Sequence, residues 1–295
     1  MKDYFDIFKL YLIEEKKSSL NTVESYLRDI SQFSSYCASV NYNDLATVDS
    51  QFLHKYIEYL GVLGKSEATK SRIVATLRCY YRFLCSKGIA VKNPVDDIKI
   101  KKTEKKLPGV LDSNEIILLL AQPSGNDFKS IRDKAMLELL YATGIKVSEL
   151  IDLNVNDVNL QVGILHLKGG KKERIIPIYP AAVKSIAEYL INVRSAIVMD
   201  SNEDRLFTNM SGQHMSRQGF WKIIKHYAEL AGINKDITPH TLRHSFAAHL
   251  LENGAKLSDI KEMLGHTDIS STQVYAQLIK SKYTSSYAKF HPLAR

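Results

Sequence analysis

The sequence predicts a mainly α-helical protein of two domains, the second of which contains a small β-sheet. Apolar residues recur at helical spacing through residues 1–98, and a lysine-rich segment without a core face occupies residues 99–108. The helical patterns of residues 109–295 are interrupted by one β-prone hairpin. A chain of 295 residues is also long for a single hydrophobic core and comfortable for two.

Residues 1–98 are predicted to form several helices. One opens at Asn21, and another begins at Ser66 and ends at Gly88. The later helix has an apolar face and an opposite face that is basic. The basic residues are Lys70, Arg72, Arg78 and Arg82. This basic face is either an ordinary solvated surface or a stripe that follows DNA phosphates.

A linker is predicted at residues 99–108, after Pro94 interrupts the helical pattern. It contains the lysines Lys99, Lys101, Lys102, Lys105 and Lys106. These like charges repel one another and leave no apolar face, which is typical of a linker. A basic linker between two globular parts can lie along a phosphate backbone.

Residues 109–295 are predicted to form a mostly helical domain. Asp112 caps one helix, and another ends at Gly144. Two β-prone runs flank a Gly-Gly-Lys-Lys turn within residues 163–178, which is typical of a hairpin. Helical patterns resume at Ala181 and continue to the end of the chain.

The overall composition excludes some classes of protein and favours one kind of partner. The content of 45% hydrophobic and 24% charged residues is typical of a globular protein, and no segment approaches the roughly 20 apolar residues of a membrane span. The three cysteines have no metal-ligand spacing, which fits a reducing cytoplasm. The net charge of +8 favours a polyanionic partner, because neutralising phosphates releases counterions.

The richest chemical pattern lies near the C-terminus. Pro239 places His240 and Arg243 within the first turn of one helix, where free amide hydrogens and the helix dipole favour a phosphate. His266 follows the end of a later helix, and Tyr275 comes nine positions after it. Taken singly, each of these residues is more often structural than catalytic. Their joint arrangement indicates a site.

Four stretches of the chain resemble the tyrosine recombinases of the phage integrase family, most closely the Xer subgroup. They are ATGIKVSELIDL, HLKGGKKERIIPI, PHTLRHSFAAHLLENG and LGHTDISSTQVYAQL. The resemblance extends over essentially the full chain. It implies a helical, SAM-like core-binding domain at residues 1–98 and a mixed α/β catalytic domain at residues 109–295, which close around duplex DNA.

The resemblance also implies the roles of four residues. Tyr275 is the nucleophile and forms a 3′-phosphotyrosine, while Arg243 places its planar fork on two phosphate oxygens. His240 and His266 donate to the same phosphate or help to move the tyrosine proton. The phosphotyrosine retains the energy of the broken bond, so we expect no ATP, metal or other cofactor.

Two lysines, Lys168 and Lys146, are also expected to take part in the reaction. Lys168, which precedes the Gly-Gly step, is expected to protonate the departing 5′ oxygen, with Lys171 as the alternative. Lys146 stands where family members carry arginine. Lysine keeps the charge but not the planar fork, so Lys146 is either a weaker phosphate clamp or the sign of an attenuated or inactive relative.

The resemblance further implies a homo- or hetero-tetramer assembled on double-stranded DNA, with an activating protein partner possible. A bacterial-type, nucleoid-associated cytoplasmic location without a membrane anchor is expected. The short length favours chromosome dimer resolution over integration of a mobile element, and an architectural DNA-binding partner is a further alternative. The apolar tail residues Phe290, Pro292 and Leu293 are expected to dock on a neighbouring subunit or to pack within their own chain.

Overall fold

A computed structural model describes residues 4–42, 44–98, 108–168, 173–199, 203–266 and 272–276. The chain divides into two compact units, residues 1–105 and 106–295. The predicted linker lies outside the described residues except for its last position, and so do Lys171 and the apolar tail.

In the described part of the first unit, all regular structure is helical. Its helices are α1 (Phe5–Leu10), α2 (Leu20–Ser39), α3 (Ser50–Val62) and α4 (Glu67–Ser86), with a π-helical turn at Tyr11–Glu15 and a 3-10 turn at Leu45–Thr47. The predicted N-cap Ser66 is confirmed, since its side chain accepts a hydrogen bond from the Thr69 amide. The predicted start of α2 at Asn21 is wrong, because Ser19 is the N-cap and accepts from the Thr22 amide.

The basic face of α4 is partly committed to contacts within its own unit. The Arg72 guanidinium donates to the buried carboxylate of Asp29 at 2.7 Å. Arg78 donates to the carbonyls of Val95 and Ile98. These side chains are therefore neither simply solvated nor a free phosphate-binding stripe, because part of their hydrogen-bonding capacity holds the unit together.

The described part of the second unit combines a small sheet with eight helices and a further helical segment at residues 272–276. The helices are α5 (Ser113–Ala121), α6 (Phe128–Thr143), α7 (Val147–Asp152), α8 (Pro180–Tyr189), α9 (Ser195–Ile197), α10 (Arg217–Leu230), α11 (Pro239–Glu252) and α12 (Leu257–Leu264). A π-helical turn, Leu190–Arg194, joins α8 to α9, and a 3-10 turn, Val155–Asp157, precedes the sheet. The strands are β1 (Val158–Asn159), β2 (Ile164–Leu167) and β3 (Arg174–Pro177).

The predicted hairpin is confirmed as the antiparallel pair β2–β3, in which Leu165 lies opposite Ile176. The two-residue strand β1 adds to the other edge of β2, and no local pattern predicted it. The capping prediction for α5 is also confirmed, because Asp112 and Glu115 form a reciprocal capping box. No described helix of the protein has the length and apolar character to cross a bilayer.

Helix α6 forms the centre of the second unit. It contacts α5, α7, α8, α11 and β3, so it is surrounded by packed elements. Even its polar residues Arg132 and Asp133 are buried, and they pair with each other, while the Tyr227 hydroxyl donates to Asp133. This helix ends at Gly144, as predicted, in a left-handed conformation.

Gly144→Ala is expected to destabilise the second unit by about 2–5 kcal/mol. Gly144 has φ +59°, and an added Cβ would lie 2.3 Å from Cδ1 of Phe246, so left-handed strain and overpacking combine. Gly232→Ala is the matched control, because Gly232 has φ +66° but open space around it, and its expected cost is about 1 kcal/mol. Urea unfolding followed by fluorescence of Trp221, the single tryptophan, measures both. Equal losses would show that the Phe246 ring moves aside without cost.

Candidate active site

The first turns of α11 carry three residues that differ in exposure, namely His240, Arg243 and His244. Thr238 is the N-cap and Pro239 takes the first helical position, so the helix begins where the sequence predicts. His240 is exposed on the first turn, Arg243 is 4% exposed, and His244 is half-buried. The rings of His240 and His244 lie 6.3 Å apart between centroids, as expected one helical turn apart.

The Arg243 guanidinium is held by the carboxyl ends of two other helices. Nη1 donates to the Gly144 carbonyl beyond α6, and Nη2 donates to the Leu264 carbonyl at the end of α12, both at 2.6 Å. Helix C-termini carry partial negative charge, which stabilises a cation there. Burial lowers the pKa of Arg243, yet a guanidinium stays charged in proteins. The site thus contains a fixed positive charge.

His266 is oriented by two hydrogen bonds. Its Nε2 lies 3.1 Å from Nη2 of Arg243, and its Nδ1 lies 3.0 Å from the Thr272 hydroxyl. Arg243 can only donate, so Nε2 accepts, and the ring hydrogen of neutral His266 is assigned to Nδ1. Burial, followed by the charges of Arg243, Lys146 and Arg174, lowers the pKa of His266 to about 4. The ring is therefore neutral at pH 7.

Tyr275 is 1% exposed and packs with Phe246, Ile260 and Leu264. Its hydroxyl lies 2.9 Å from Nδ1 of His244. Burial raises the pKa of Tyr275, and the charge of Arg243 offsets part of that rise. The phenol is thus shielded from water and held next to a neutral ring nitrogen.

The segment that carries Lys146 is fixed by a carboxylate. Glu149 accepts from the Lys146 backbone amide at 2.8 Å and from Nη2 of Arg174 at 2.8 Å. Arg174 also donates to the Met263 carbonyl on α12 at 2.8 Å. The Lys146 side chain is exposed, but its charge is near enough to depress the pKa of His266. Lys146 therefore contributes positive charge to the site without a fixed hydrogen bond to Arg243 or His266.

The hairpin lysines are less closely connected to this group. Lys168 is exposed immediately after β2, and among the described residues no contact joins it to Arg243, His266 or Tyr275. Lys171 lies outside the described residues. The choice of Lys168 as general acid therefore stays a prediction.

Sequence reasoning did not identify three residues of this site: His244, Arg174 and Thr272. His244 was detectable, because it lies one helical turn after His240 within the same motif. Arg174 contacts Glu149 and Met263, which are distant from it in sequence. Thr272 contacts His266, six residues away, which is not a helical spacing. Nothing local distinguishes them from ordinary polar residues.

Acidification is expected to destabilise the second unit through His244 and His266. Burial and nearby positive charges lower the pKa of each to about 4, below the ordinary value of 6.5. The folded state therefore binds fewer protons, and the stabilisation present above pH 6.5 is lost as the pH falls from 6.5 towards 4. Each ring contributes a slope of up to about 1.4 kcal/mol per pH unit.

Urea midpoints from Trp221 fluorescence at pH 7 and pH 5 test this expectation. His266→Gln should flatten the difference between the two midpoints, whereas the control His226→Gln, at an exposed position of α10, should not. If the urea midpoint of the natural protein is the same at pH 7 and pH 5, the expected destabilisation by acid is contradicted.

Comparisons with known proteins agree with this architecture. Residues 109–282 match the phage integrase family, and residues 5–88 match the phage integrase N-terminal SAM-like domain. The chain is 43% identical to a tyrosine recombinase XerD of Staphylococcus epidermidis, over 95% of each chain. It is also 43% identical to XerD of Halalkalibacterium halodurans, over 95% of this chain and 94% of that one.

Solved structures show the same fold. The XerA recombinase is 26% identical, with a TM-score of 0.56 over 98% of each chain. The XerH recombinase bound to palindromic difH substrate, in a post-cleavage complex, gives a TM-score of 0.76 at 22% identity, over 92% of this chain and 81% of that one.

The fold and these matches define a tyrosine recombinase, an enzyme that transfers DNA strands. The chain belongs to the phage integrase family, and its curated relatives place its activity with Xer-like site-specific recombination.

Proposed function

We propose that the protein cuts and rejoins duplex DNA through a covalent link between Tyr275 and the 3′ phosphate of one strand. The observation that carries this proposal is the convergence of a buried phenol, a buried guanidinium and a neutral histidine at the C-terminal ends of α6 and α12. This combination supplies a nucleophile and fixed donors for an anionic transition state.

Arg243 is proposed to bind the scissile phosphate. In the described part of the chain, three of its five N–H groups have acceptors, namely two carbonyls and His266. Two N–H groups remain for non-bridging oxygens. Because the other three are fixed, the guanidinium is pre-organised, and little reorganisation is needed when charge develops.

His240 and Lys146 are proposed to complete the phosphate site, and His266 is proposed to position Arg243 through the hydrogen bond at its Nε2. His240 is exposed beside the α11 N-terminus, where the helix dipole also favours an anion. Lys146 adds charge, and Lys168 is proposed to protonate the 5′ oxygen as the P–O5′ bond breaks. The tyrosine ester retains the bond energy, so the 5′ hydroxyl of a partner strand can reverse the reaction without ATP.

The wider role is proposed from the same resemblance. The two units, joined by the lysine-rich segment 99–108, are proposed to grip double-stranded DNA as a tetramer in the bacterial cytoplasm, with an activating protein as a further partner. Chromosome dimer resolution is the role favoured by the XerD relatives, and integration of a mobile element is the alternative.

A nicked duplex tests the proposal. The binding site is first selected from a randomised duplex library by retention on the natural protein. A nick placed just 3′ of the cleavage position lets the short fragment that carries the freed 5′ hydroxyl diffuse away, so the covalent complex cannot be rejoined and accumulates. A shifted band on a denaturing gel is expected, and its absence on every selected site would refute the proposal.

Lys146→Arg is expected to raise the single-turnover cleavage rate on the order of tenfold. One oriented hydrogen bond to the transition state is worth about 2.7–4 kcal/mol, and lysine recovers part of it through charge. Lys146→Ala should be slower than the natural protein with little change in DNA affinity. Equal rates for alanine and lysine would show that Lys146 does not act on the phosphate. If all three forms bind DNA and none cleaves it, the architectural-partner alternative is favoured.

A further inference from the structure

The Tyr275 hydroxyl is hydrogen-bonded to His244, a residue that the sequence analysis did not predict for the site. Nδ1 of His244 lies 2.9 Å from the Tyr275 oxygen, and the two rings are 5.6 Å apart at an angle of 52°. A phenol that attacks phosphorus must lose its proton. Because burial raises the pKa of Tyr275, its ionisation before attack is unfavourable, so a neighbouring base is needed.

The other basic groups of the site are less suited to receive that proton. Arg243 is always protonated. His266 has both ring nitrogens engaged, one with Arg243 and one with Thr272. His240 is exposed, and its ring is one helical turn away from His244. His244 is the histidine in hydrogen-bond contact with the phenol.

We propose that His244 is the proton acceptor for Tyr275 in strand cleavage, an inference that rests on the proposed function. As the phenolic oxygen bonds to phosphorus, its proton passes to Nδ1 of His244, while the P–O5′ bond breaks and the 5′ oxygen takes a proton from Lys168. In rejoining, the 5′ hydroxyl returns its proton to Lys168 and attacks. The His244 imidazolium then returns its proton to the departing phenolate.

Burial and the charges around His244 keep its ring uncharged before DNA binds. Burial, together with electrostatic repulsion from His240, Arg243 and His266, lowers the pKa of His244 to about 4, so the ring is neutral at pH 7. We assign its hydrogen to Nε2, which leaves Nδ1 to accept from the phenol. A bound phosphodiester brings a negative charge beside Arg243. That charge offsets the positive neighbours and raises the basicity of His244. The base thus becomes stronger when DNA occupies the site.

His244→Asn separates proton transfer from simple positioning. An asparagine amide can hydrogen-bond the phenol near the position of Nδ1, but it cannot take a proton. Single-turnover cleavage of the nicked, selected duplex should fall by roughly 10²–10⁴-fold, with binding of that duplex unchanged. His226→Asn, at an exposed position in the same unit, is the control and should cleave at the natural rate.

A more acidic phenol supplies the second measurement. Site-specific replacement of Tyr275 by a fluorotyrosine weakens the need for a base, so the deficit of His244→Asn should shrink by about threefold or more. A merely structural defect would be unaffected by the acidity of the phenol. Where asparagine lowers the yield of folded protein, His244→Gln keeps more of the ring's volume and allows the same comparison.

The outcomes are distinct. If His244→Asn cleaves within about threefold of the natural rate, or if fluorination leaves its deficit unchanged, His244 is not the proton acceptor, although the proposed function stands. If the natural protein forms no covalent complex at all, the proposed function itself fails.

Discussion

Tyr275→Phe is expected to bind its selected duplex with unchanged affinity and to form no covalent DNA complex. The substitution removes only the attacking oxygen, and loss of a nucleophile commonly costs more than about 10⁴-fold in rate. It also leaves Nδ1 of His244 without its hydroxyl partner, at a cost of about 1 kcal/mol in stability. The measurement is the shifted band of the nicked substrate on a denaturing gel, compared with retention of the intact duplex on a native gel.

Tyr283→Phe and Tyr287→Phe are the matched controls, since both tyrosines lie close to Tyr275 in the sequence. They should form the covalent complex at the natural rate. A complex that persists in Tyr275→Phe and disappears in one of these two variants would assign the nucleophile to the tyrosine substituted in that variant.

Arg243→Lys is expected to lower the cleavage rate by roughly 10²–10³-fold while binding of DNA weakens much less. Lysine keeps the charge, but an ammonium has three N–H groups and cannot donate to Gly144, Leu264 and His266 and also to the phosphate. The transition state thereby loses at least one oriented donor, which explains the size of the effect.

Arg194→Lys provides a control for the structural part of this loss. Arg194 also holds two backbone carbonyls, those of Arg205 and Glu203, but it takes no part in the site. Both variants should lower the urea midpoint, and only Arg243→Lys should slow single-turnover cleavage. A similar fall in rate for both variants would mean that the defect is loss of folded structure.

Local sequence signals predicted much of the fold. The caps at Ser66 and Asp112 and the stop at Gly144 are confirmed, because each depends on residues within one turn of the helix end. Strand β1 was not predicted, since two residues carry no periodicity and their pairing depends on β2. The predicted start of α2 at Asn21 is two positions too late, because Ser19 is the N-cap.

The site was predictable in its residue types and less so in its connections. The motif around His240, Arg243, His266 and Tyr275 identified the chemistry, but their roles remain predictions. Sequence spacing gave no sign that the Gly144 carbonyl, 99 residues away, holds Arg243. It also did not indicate that the tyrosine hydroxyl meets His244, because side-chain direction is decided by tertiary packing.

The C-terminal end of α12 contacts both the arginines and the tyrosine of the candidate site. Its last carbonyls accept from Arg243 and Arg174, and the chain continues from there through His266 to Tyr275. A displacement of this helix end would therefore weaken the hydrogen bonds of both arginines and disturb the packing of Tyr275 with Ile260 and Leu264. A movement of α12 caused from outside the site would therefore change the position of the positive charges and the position of the nucleophile together.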